Sequence, residues 1–478
     1  MGEEIRDGAF HVADFARFRE QLGEETRRLR ELFESGAFAR GERVLGYELE
    51  AWLVDGAGRP APVNERFLER YDDESRCVPE LAKFNIEFNA PPQRLEGAVF
   101  DRLRDDLART WQRAREVAGE LRVRPVMIGI LPTISEEQLN LRHMSDRARY
   151  RALNEQVMRM HGPQPITLDI EGAEGLHLTH PDVMLEAGAT SFQVHLQTDA
   201  AAAVRHYNAA QVLAGPMVAA TENSPFLFGR DLWAETRIPL FEQSVNTRVA
   251  RGGHDVTPAR VTFGDGYVQT SLWELFEENL LRHPVLLPCR MDEPAARFPH
   301  LRLHNGTIWR WNRPLIGFDR HGAPGLRIEH RVMAAGPTVQ DCVANAAFFT
   351  GCAVACGTAE TPPESRLPFD AARGNFYACA RFGLDAQVDW LDGRRGSARE
   401  LLLNELLPAA AQGLASLGLA EQDFAPYLEI VARRVRHKAT GARWQRHFVA
   451  AYGTDMPALV EAYCALQDSG RPVCDWMA

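Results

Sequence analysis

Four glutamates stand in stretches that otherwise read as buried strand: Glu48 and Glu50 in GYELEAWLVD, Glu87 in KFNIEFNAPP and Glu329 in GLRIEHRVMAAGP. A strand repeats every two residues, so Glu48 and Glu50 point to one face, about 6 to 7 Å apart along the chain. Carboxylates gathered on such a face raise one another's pKa unless positive charge compensates. Magnesium compensates with hard oxygen coordination and also bridges phosphate oxygens, so the pattern suggests a cation site. Taken singly, each glutamate is equally explained by the solvated face of an edge strand.

Two further stripes carry complementary chemistry. In SFQVHLQ, Ser191, Gln193, His195 and Gln197 share one parity while Phe192, Val194 and Leu196 share the other. His195 suits a metal, a phosphate or nucleotide contact, or a structural polar network, and Gln193 and Gln197 suit either substrate or backbone groups. In the last strand Arg327, Glu329 and Arg331 occupy one face opposite Leu326, Ile328 and His330. Guanidinium groups match carboxylate and phosphate bidentately, so one arginine there could hold a transferred phosphate while the other closes an ion pair. Arg310 and Arg313 in IWRWNRP extend that option, with structural salt bridges as the alternative, and Trp309 and Trp311 read as core.

The elements that must position these groups follow from periodicity. Residues 13–35 have helical spacing and stop at glycine, and residues 96–119 form a second amphipathic helix. Alternation predicts strands at 46–55, 83–92, 189–199 and 325–337, and the apolar run 122–132 reads as another. The alanine-rich run beginning at Asp199 and the segment ANAAFFTGCAVACG are helix-like, NSPFLFGR is a loop, and the chain beyond about residue 398 is mainly helical. Strands that are polar on one face favour a sheet whose concave side lines a site, with helices on the other side.

Composition narrows the function classes. With 478 residues and 45% hydrophobic content the chain can bury a large core, and a formal charge of -11 offers no basic stripe for nucleic acid. A phosphate-bearing small ligand is still allowed, because a few arginines or bound cations reverse the sign locally. The eight cysteines are scattered without a CxxC pair and read as buried reduced thiols. No signal-peptide core, acylation motif or uninterrupted spanning run is visible, so a cytoplasmic location without membrane attachment is expected. Neither GxxxxGK[ST] nor a GxGxxG fingerprint occurs, and no nucleophile elbow does. The amphipathic end helices could form a homodimer interface or cover the chain's own sheet.

Five segments, GYELE at 46–50, NIEFNAPP at 85–92, SFQVHLQ at 191–197, ENSPFLFG at 222–229 and LRIEHRV at 326–332, together and in this order resemble the glutamate-cysteine ligase type 2 family. That family comprises carboxylate–amine ligases more distantly related to glutamine synthetase. The resemblance implies an α+β, glutamine synthetase-like fold, with a curved and mostly antiparallel sheet lining the site and helices packed outside. It implies a catalytic domain over 1–395 and a mainly helical C-terminal subdomain over 396–478. Glu48, Glu50, Glu87, Glu329 and His195 would surround two or three magnesium ions, with manganese as a substitute. Gln193, His195, Gln197, Arg310 and Arg313 would contact ATP, and Arg237, Asn223 and Arg327 the amino-acid substrates. Arg331, matching the position that contacts the transferred phosphate, would act with Glu50 and Glu329 in catalysis. The implied reaction phosphorylates the side-chain carboxylate of glutamate and lets the amine of cysteine displace phosphate. Gln197 stands where relatives often have asparagine, and Glu222 where a smaller residue is common, so another amine, another carboxylate, or a silent nucleotide or amino-acid sensor are the competing readings.

Overall fold

In the computed structural model, which describes residues 10–38, 43–247, 258–319 and 321–476, the alternation from Val44 to Val54 forms a strand, β1, at the centre of an eight-stranded sheet. The others are β2 (Cys77–Pro79), β3 (Asn85–Asn89), β4 (Gln93–Arg94), β5 (Arg124–Val126), β6 (Ser191–Thr198), β7 (Asn312–Phe318) and β8 (Pro324–Ala334). They pair in the order β7-β8-β6-β1-β3-β2, with β4 and β5 also on β1, and every pair is antiparallel. The sheet is curled, as expected for the glutamine synthetase-like fold.

Burial sets the register. Leu45, Leu49, Ile86, Val194, Leu326 and Ile328 are all essentially inaccessible on the convex face. Each fully buried aliphatic side chain contributes roughly 1.5–3 kcal/mol, so a one-residue slip, which would turn the whole set outward, is strongly disfavoured. The same pairing puts Glu50 opposite Glu87, Glu48 opposite Gln193, and His195 between Gly46 and Glu329. An irregularity in β8 between His330 and Met333 shifts the register where Arg331 leaves its partner strand, and the Arg331 N–H donates instead to the Trp311 carbonyl at 3.0 Å.

Helices cover the convex face. The helix read at 13–35 is α1 (Val12–Ser35), which instead packs on the helices Trp273–Arg282 and Pro299–Gly306 and borders the opposite side through Asp14, and the one at 96–119 is α2 (Val99–Glu120). The alanine-rich run gives α3 (Ala203–Thr221), which packs on β8, and the FFTGCAVACG segment gives α4 (Val339–Thr358), which packs on α3. The C-terminal helices α5 (Phe369–Phe382), α6 (Leu407–Ser416), α7 (Glu421–Arg436), α8 (Gly441–Tyr452) and α9 (Met456–Asp468) follow. Two of them, α6 and α7, pack against α4 and join the same apolar cluster as the sheet. Gly351 and Gly413 permit the close crossing of α4 and α6, since a Cβ on either would overlap the facing backbone. The buried Arg434 of α7 donates to Asp341 at 2.7 Å and Asn345 at 2.6 Å, tying it to α4 by charge as well as by packing. All eight cysteines are free thiols.

Some expectations change. Of the run 122–132 only Arg124–Val126 joins the sheet, because β5 fills the short edge of β1 that β6 leaves at Trp52–Val54, and beyond it there is no further strand to pair with. The NSPFLFGR segment is not merely a loop: Phe226–Leu227 and Arg230–Asp231 form a hairpin whose turn places Phe228 and Gly229 at positive φ. Residues 301–318 hold the end of a helix, Pro299–Gly306, and β7. Although its sequence lacks an uninterrupted apolar run, α4 is long and apolar enough to cross a membrane by length and composition, yet most of it is buried inside the protein.

Candidate active site

The concave face of the sheet forms the floor of a cleft of about 1840 Å³. Glu48, Gln193, His195, Arg313, Glu329 and Arg331 all lie on this face, as their register and mutual contacts require. Their donor atoms fall into two groups. Glu48, His195 and Glu329 each offer a ligand atom within 4.8 Å of the others, and so do Glu50, Glu80 and Glu87.

A chain of hydrogen bonds joins the groups. Glu50 accepts from the Ser191 N–H at 2.6 Å, the Ser191 hydroxyl at 3.0 Å and the Gln193 amide at 3.0 Å. Arg331 Nη1 donates to Gln193 Oε1 at 2.6 Å and to Glu329 Oε2 at 3.1 Å. Arg313 grips Glu329 bidentately, Nε to Oε2 at 2.8 Å and Nη2 to Oε1 at 3.0 Å. The order is Glu50, Gln193, Arg331, Glu329, Arg313, so Arg331 sits between the two carboxylate groups.

The electrostatics of the two groups differ. Burial alone would raise Glu329, but Arg313, Arg331 and His195 overcome it and hold the carboxyl far below the usual range. Burial likewise opposes Glu48, which His195 and Arg331 nonetheless bring below its ordinary value. Burial lowers His195 against the attraction of Glu48 and Glu329. In the second group burial and the neighbouring carboxylates act together: Glu87 is pushed up to about 8 by burial and Glu48, and Glu80 is raised by burial, Glu87 and Glu50. Glu50 is also raised by burial, against Arg331 and the Ser191 donors.

These observations fit hard divalent cations. His195 Nε2 is buried and lacks a hydrogen bond, although it lies 3.5 Å from both Glu48 and Glu329. An imidazole nitrogen beside two carboxylates held below their ordinary pKa is a competent ligand set. The second group has three oxygens pressed together with too little positive charge to ionise all of them, the condition a metal ion relieves.

Other predicted residues are distributed differently. Gln197 and Arg327 line the cleft, with the Arg327 guanidinium lying over Gly317 and its buried Nε lacking a hydrogen bond. Arg237, like Glu50, Glu87, Gln193 and Arg331, lies behind the residues that line the cleft: it donates to Glu235 at 3.2 Å and to the Val332 carbonyl, and stacks over Trp311. Arg310, expected to contact ATP, is not among the residues lining the cleft. It belongs to a separate short pairing, Trp309–Arg310 with Val261–Thr262, and its guanidinium is buried against Asn279 at 2.9 Å and Glu278 at 3.3 Å. Asn223, expected to meet a substrate, has its amide engaged within the protein: it donates to the Ala335 carbonyl and the Tyr463 hydroxyl and accepts from Gln445, so it stitches the C-terminal helices to the sheet. Glu222 is buried with Thr440 and Arg443, also outside the cleft.

The sequence reading missed Glu80 and Glu186, which both line the cleft. Burial and Glu50 push Glu186 up to about 8. Neither lies in an alternating strand, and the available signal was a single carboxylate within an apolar stretch, VPELA and VMLEAG. Arg149 and Tyr150 border the same end of the cleft, joined by a 2.9 Å hydrogen bond.

Residues 44–464 match the family described as glutamate-cysteine ligase family 2 (GCS2). The fold is similar to that of a glutamate–cysteine ligase from Francisella tularensis solved in complex with AMP, with a TM-score of 0.56 and 11% identity over 91% of this chain and 90% of that one. It is also similar to a bifunctional glutathione synthetase from Pasteurella multocida, with a TM-score of 0.53 and 10% identity over 92% of this chain and 54% of that one, so this chain spans about half of that protein. Comparison with curated protein sequences gives no match. The structural likenesses establish the fold.

Proposed function

As the chain belongs to glutamate-cysteine ligase family 2, and is therefore an ATP-dependent carboxylate–amine ligase, we propose that it joins the γ-carboxylate of glutamate to the amine of cysteine. The observation that carries this reading is Arg331, held between an ionised group of metal-type ligands and an overcrowded group of carboxylates on the floor of one cleft. A phosphoryl group in transfer needs such a place, where fixed positive charge meets cation ligands.

Glutamate's γ-carboxylate oxygen attacks the γ-phosphorus of ATP, the bond to the β–γ bridging oxygen breaks, and ADP leaves. The amine nitrogen, as the free base, then attacks the carbonyl carbon of the acyl phosphate, the C–O bond to phosphate breaks, and the nitrogen gives one proton to the departing phosphate. No protein nucleophile is needed. Arg331 donates to the transferred phosphoryl oxygens, oriented by Gln193 on one side and Glu329 on the other. Arg313 neutralises Glu329 and keeps Arg331 from being pulled wholly onto it. Arg327, with an unsatisfied buried Nε, binds an anionic group of a substrate. Magnesium, or manganese in its place, would be held by Glu48, His195 and Glu329 and by Glu50, Glu80 and Glu87, and when bound it neutralises phosphate oxygens.

Incubation with ATP, magnesium, glutamate and a panel of amines led by cysteine, followed by mass-resolved product analysis, tests the assignment. A γ-glutamylcysteine product that needs ATP and disappears in Glu50→Gln supports it. A different ATP-dependent adduct replaces the amine while keeping the chemistry, and ATP binding without any adduct favours the sensor.

A further inference from the structure

The irregularity in β8 falls on the residue that the proposed chemistry depends on. His330 pairs with Val194 and Met333 with Phe192, so Arg331 and Val332 together face the single residue Gln193. Two residues opposite one form a bulge, which bends the strand and re-aims a side chain. The side chain re-aimed here is Arg331, which reaches Gln193 Oε1 at 2.6 Å and Glu329 Oε2 at 3.1 Å. Because a bulge disrupts the ladder, that aim lasts only if the displaced backbone groups find partners elsewhere.

Those partners converge on Trp311. Its carbonyl accepts the Arg331 N–H at 3.0 Å. Its ring centre lies 5.4 Å from the guanidinium of Arg237, which in turn donates from Nη2 to the Val332 carbonyl. Trp311 is itself only 1% exposed and held from several directions. Its N–H donates to the Thr262 carbonyl at 3.1 Å, and its indole N–H donates to Glu242 at 2.8 Å. The Tyr377 hydroxyl donates to the same Glu242 oxygen at 2.9 Å, so the indole's acceptor is fixed as well. Phe241 of the helix Arg237–Ser244 packs edge-on against the ring at 5.8 Å, and Phe376 of α5 lies 5.5 Å from it. Any large apolar ring would fill this volume. The indole N–H and the stacked guanidinium set the orientation of the ring as well as its burial, and through it both displaced groups of the bulge.

We propose that Trp311 is a positioning residue for phosphoryl transfer: through its carbonyl and through Arg237 it holds the β8 bulge in the geometry that aims Arg331. The assignment rests on the ligase reading for the step it serves, and Trp311 itself touches no substrate.

The test is a double-mutant cycle of Trp311→Phe with Arg331→Lys, joined to a crystal structure of Trp311→Phe. Phenylalanine keeps the carbonyl and an apolar ring but loses the indole N–H and part of the surface beneath Arg237. For Trp311→Phe, kcat for hydroxamate formation from glutamate, ATP and hydroxylamine is expected to fall roughly ten- to a hundredfold, with KM for ATP and glutamate unchanged. In the Arg331→Lys background the same substitution is expected to change kcat by less than about twofold, since no aimed guanidinium remains to be misplaced. A tryptophan that merely stabilised the fold would lower both backgrounds by the same factor, and that result overturns the proposal, as does a wild-type kcat in Trp311→Phe. In the crystal, the Arg331–Gln193 contact is expected to open beyond hydrogen-bonding distance, and an intact contact overturns the proposal. Glu242→Ala, which frees the indole without altering the ring, carries the same cycle and the same structure if Trp311→Phe does not unfold cooperatively. If the wild type makes no product with hydroxylamine or any amine, the ligase reading fails, and the crystal alone decides whether Trp311 sets Arg331.

Discussion

Replacing Arg331 by lysine separates chemistry from scaffolding. Arg331 uses one nitrogen for both Gln193 Oε1 at 2.6 Å and Glu329 Oε2 at 3.1 Å, leaving the rest of its fork for a phosphoryl group. Lysine keeps the charge but lacks the planar fork, so it cannot hold both protein acceptors and a phosphoryl oxygen. Glu329 would still be gripped twice by Arg313, at 2.8 and 3.0 Å. The fold therefore loses about 1.5–3 kcal/mol, the worth of hydrogen bonds to charged groups. Transition-state stabilisation suffers more, because a preorganised donor aimed at developing charge is worth roughly 10²–10³ in kcat. Hydroxamate formation from glutamate, ATP and hydroxylamine, measured at saturating substrates alongside thermal unfolding, reads both quantities. The expected result for Arg331→Lys is a kcat loss of about that size in a protein that still unfolds cooperatively. Arg313→Lys should show the larger stability loss, since it breaks the bidentate grip on a buried carboxylate. A kcat within about tenfold of wild type for Arg331→Lys, where a loss of roughly 10²–10³ is expected, would refute the role assigned to this residue.

Three further outcomes follow from the same geometry. Arg310→Met should leave KM for ATP unchanged while lowering stability by about 1.5–3 kcal/mol in denaturant unfolding, because its partners are Asn279 and Glu278 rather than a ligand. Manganese binding followed by electron paramagnetic resonance should lose one class of sites in Glu48→Gln and a different class in Glu87→Gln, whereas unchanged binding in both would remove the metal assignment. Metal-free protein should lose stability as pH rises from 4.5 to about 8, because native Glu87 and Glu186 keep protons that the unfolded chain has already released. Glu329, whose folded pKa is lowered, contributes with the opposite sign: its stabilisation is present above its unfolded value and lost as pH falls toward the folded one. Denaturant midpoints across that window, with and without magnesium, should show the ion stabilising most at the alkaline end, and a midpoint that rises with pH in the metal-free protein would contradict the first sign.

Strand periodicity made much of the floor readable. Glu48 and Glu50 share a parity, as do Gln193 and His195 in β6 and Arg327, Glu329 and Arg331 in β8, and a half-buried sheet converts parity directly into a shared face. What periodicity cannot report is which strands become neighbours. Arg310 and Arg313 are three residues apart in one aromatic run, yet Arg310 ends a separate parallel pairing while Arg313 enters β7 opposite Glu329. Glu80 and Glu186 were missed because they follow a three-residue edge strand and sit on a 3-10 turn, where neither a period of two nor one of 3.6 applies. Asn223 shows what a motif leaves unsaid about contacts. Its segment belongs to the family pattern, but its amide is spent on Ala335, Tyr463 and Gln445, contacts between parts of the chain more than a hundred residues apart.

The most direct test of the central claim is the fate of carboxylate oxygen during turnover. With glutamate labelled by ¹⁸O in its γ-carboxylate, ATP, magnesium and the acceptor amine, an acyl phosphate route transfers one labelled oxygen to the released phosphate for each amide formed, and none to the nucleotide. Label appearing in AMP, or phosphate released without label while amide accumulates, would contradict the account.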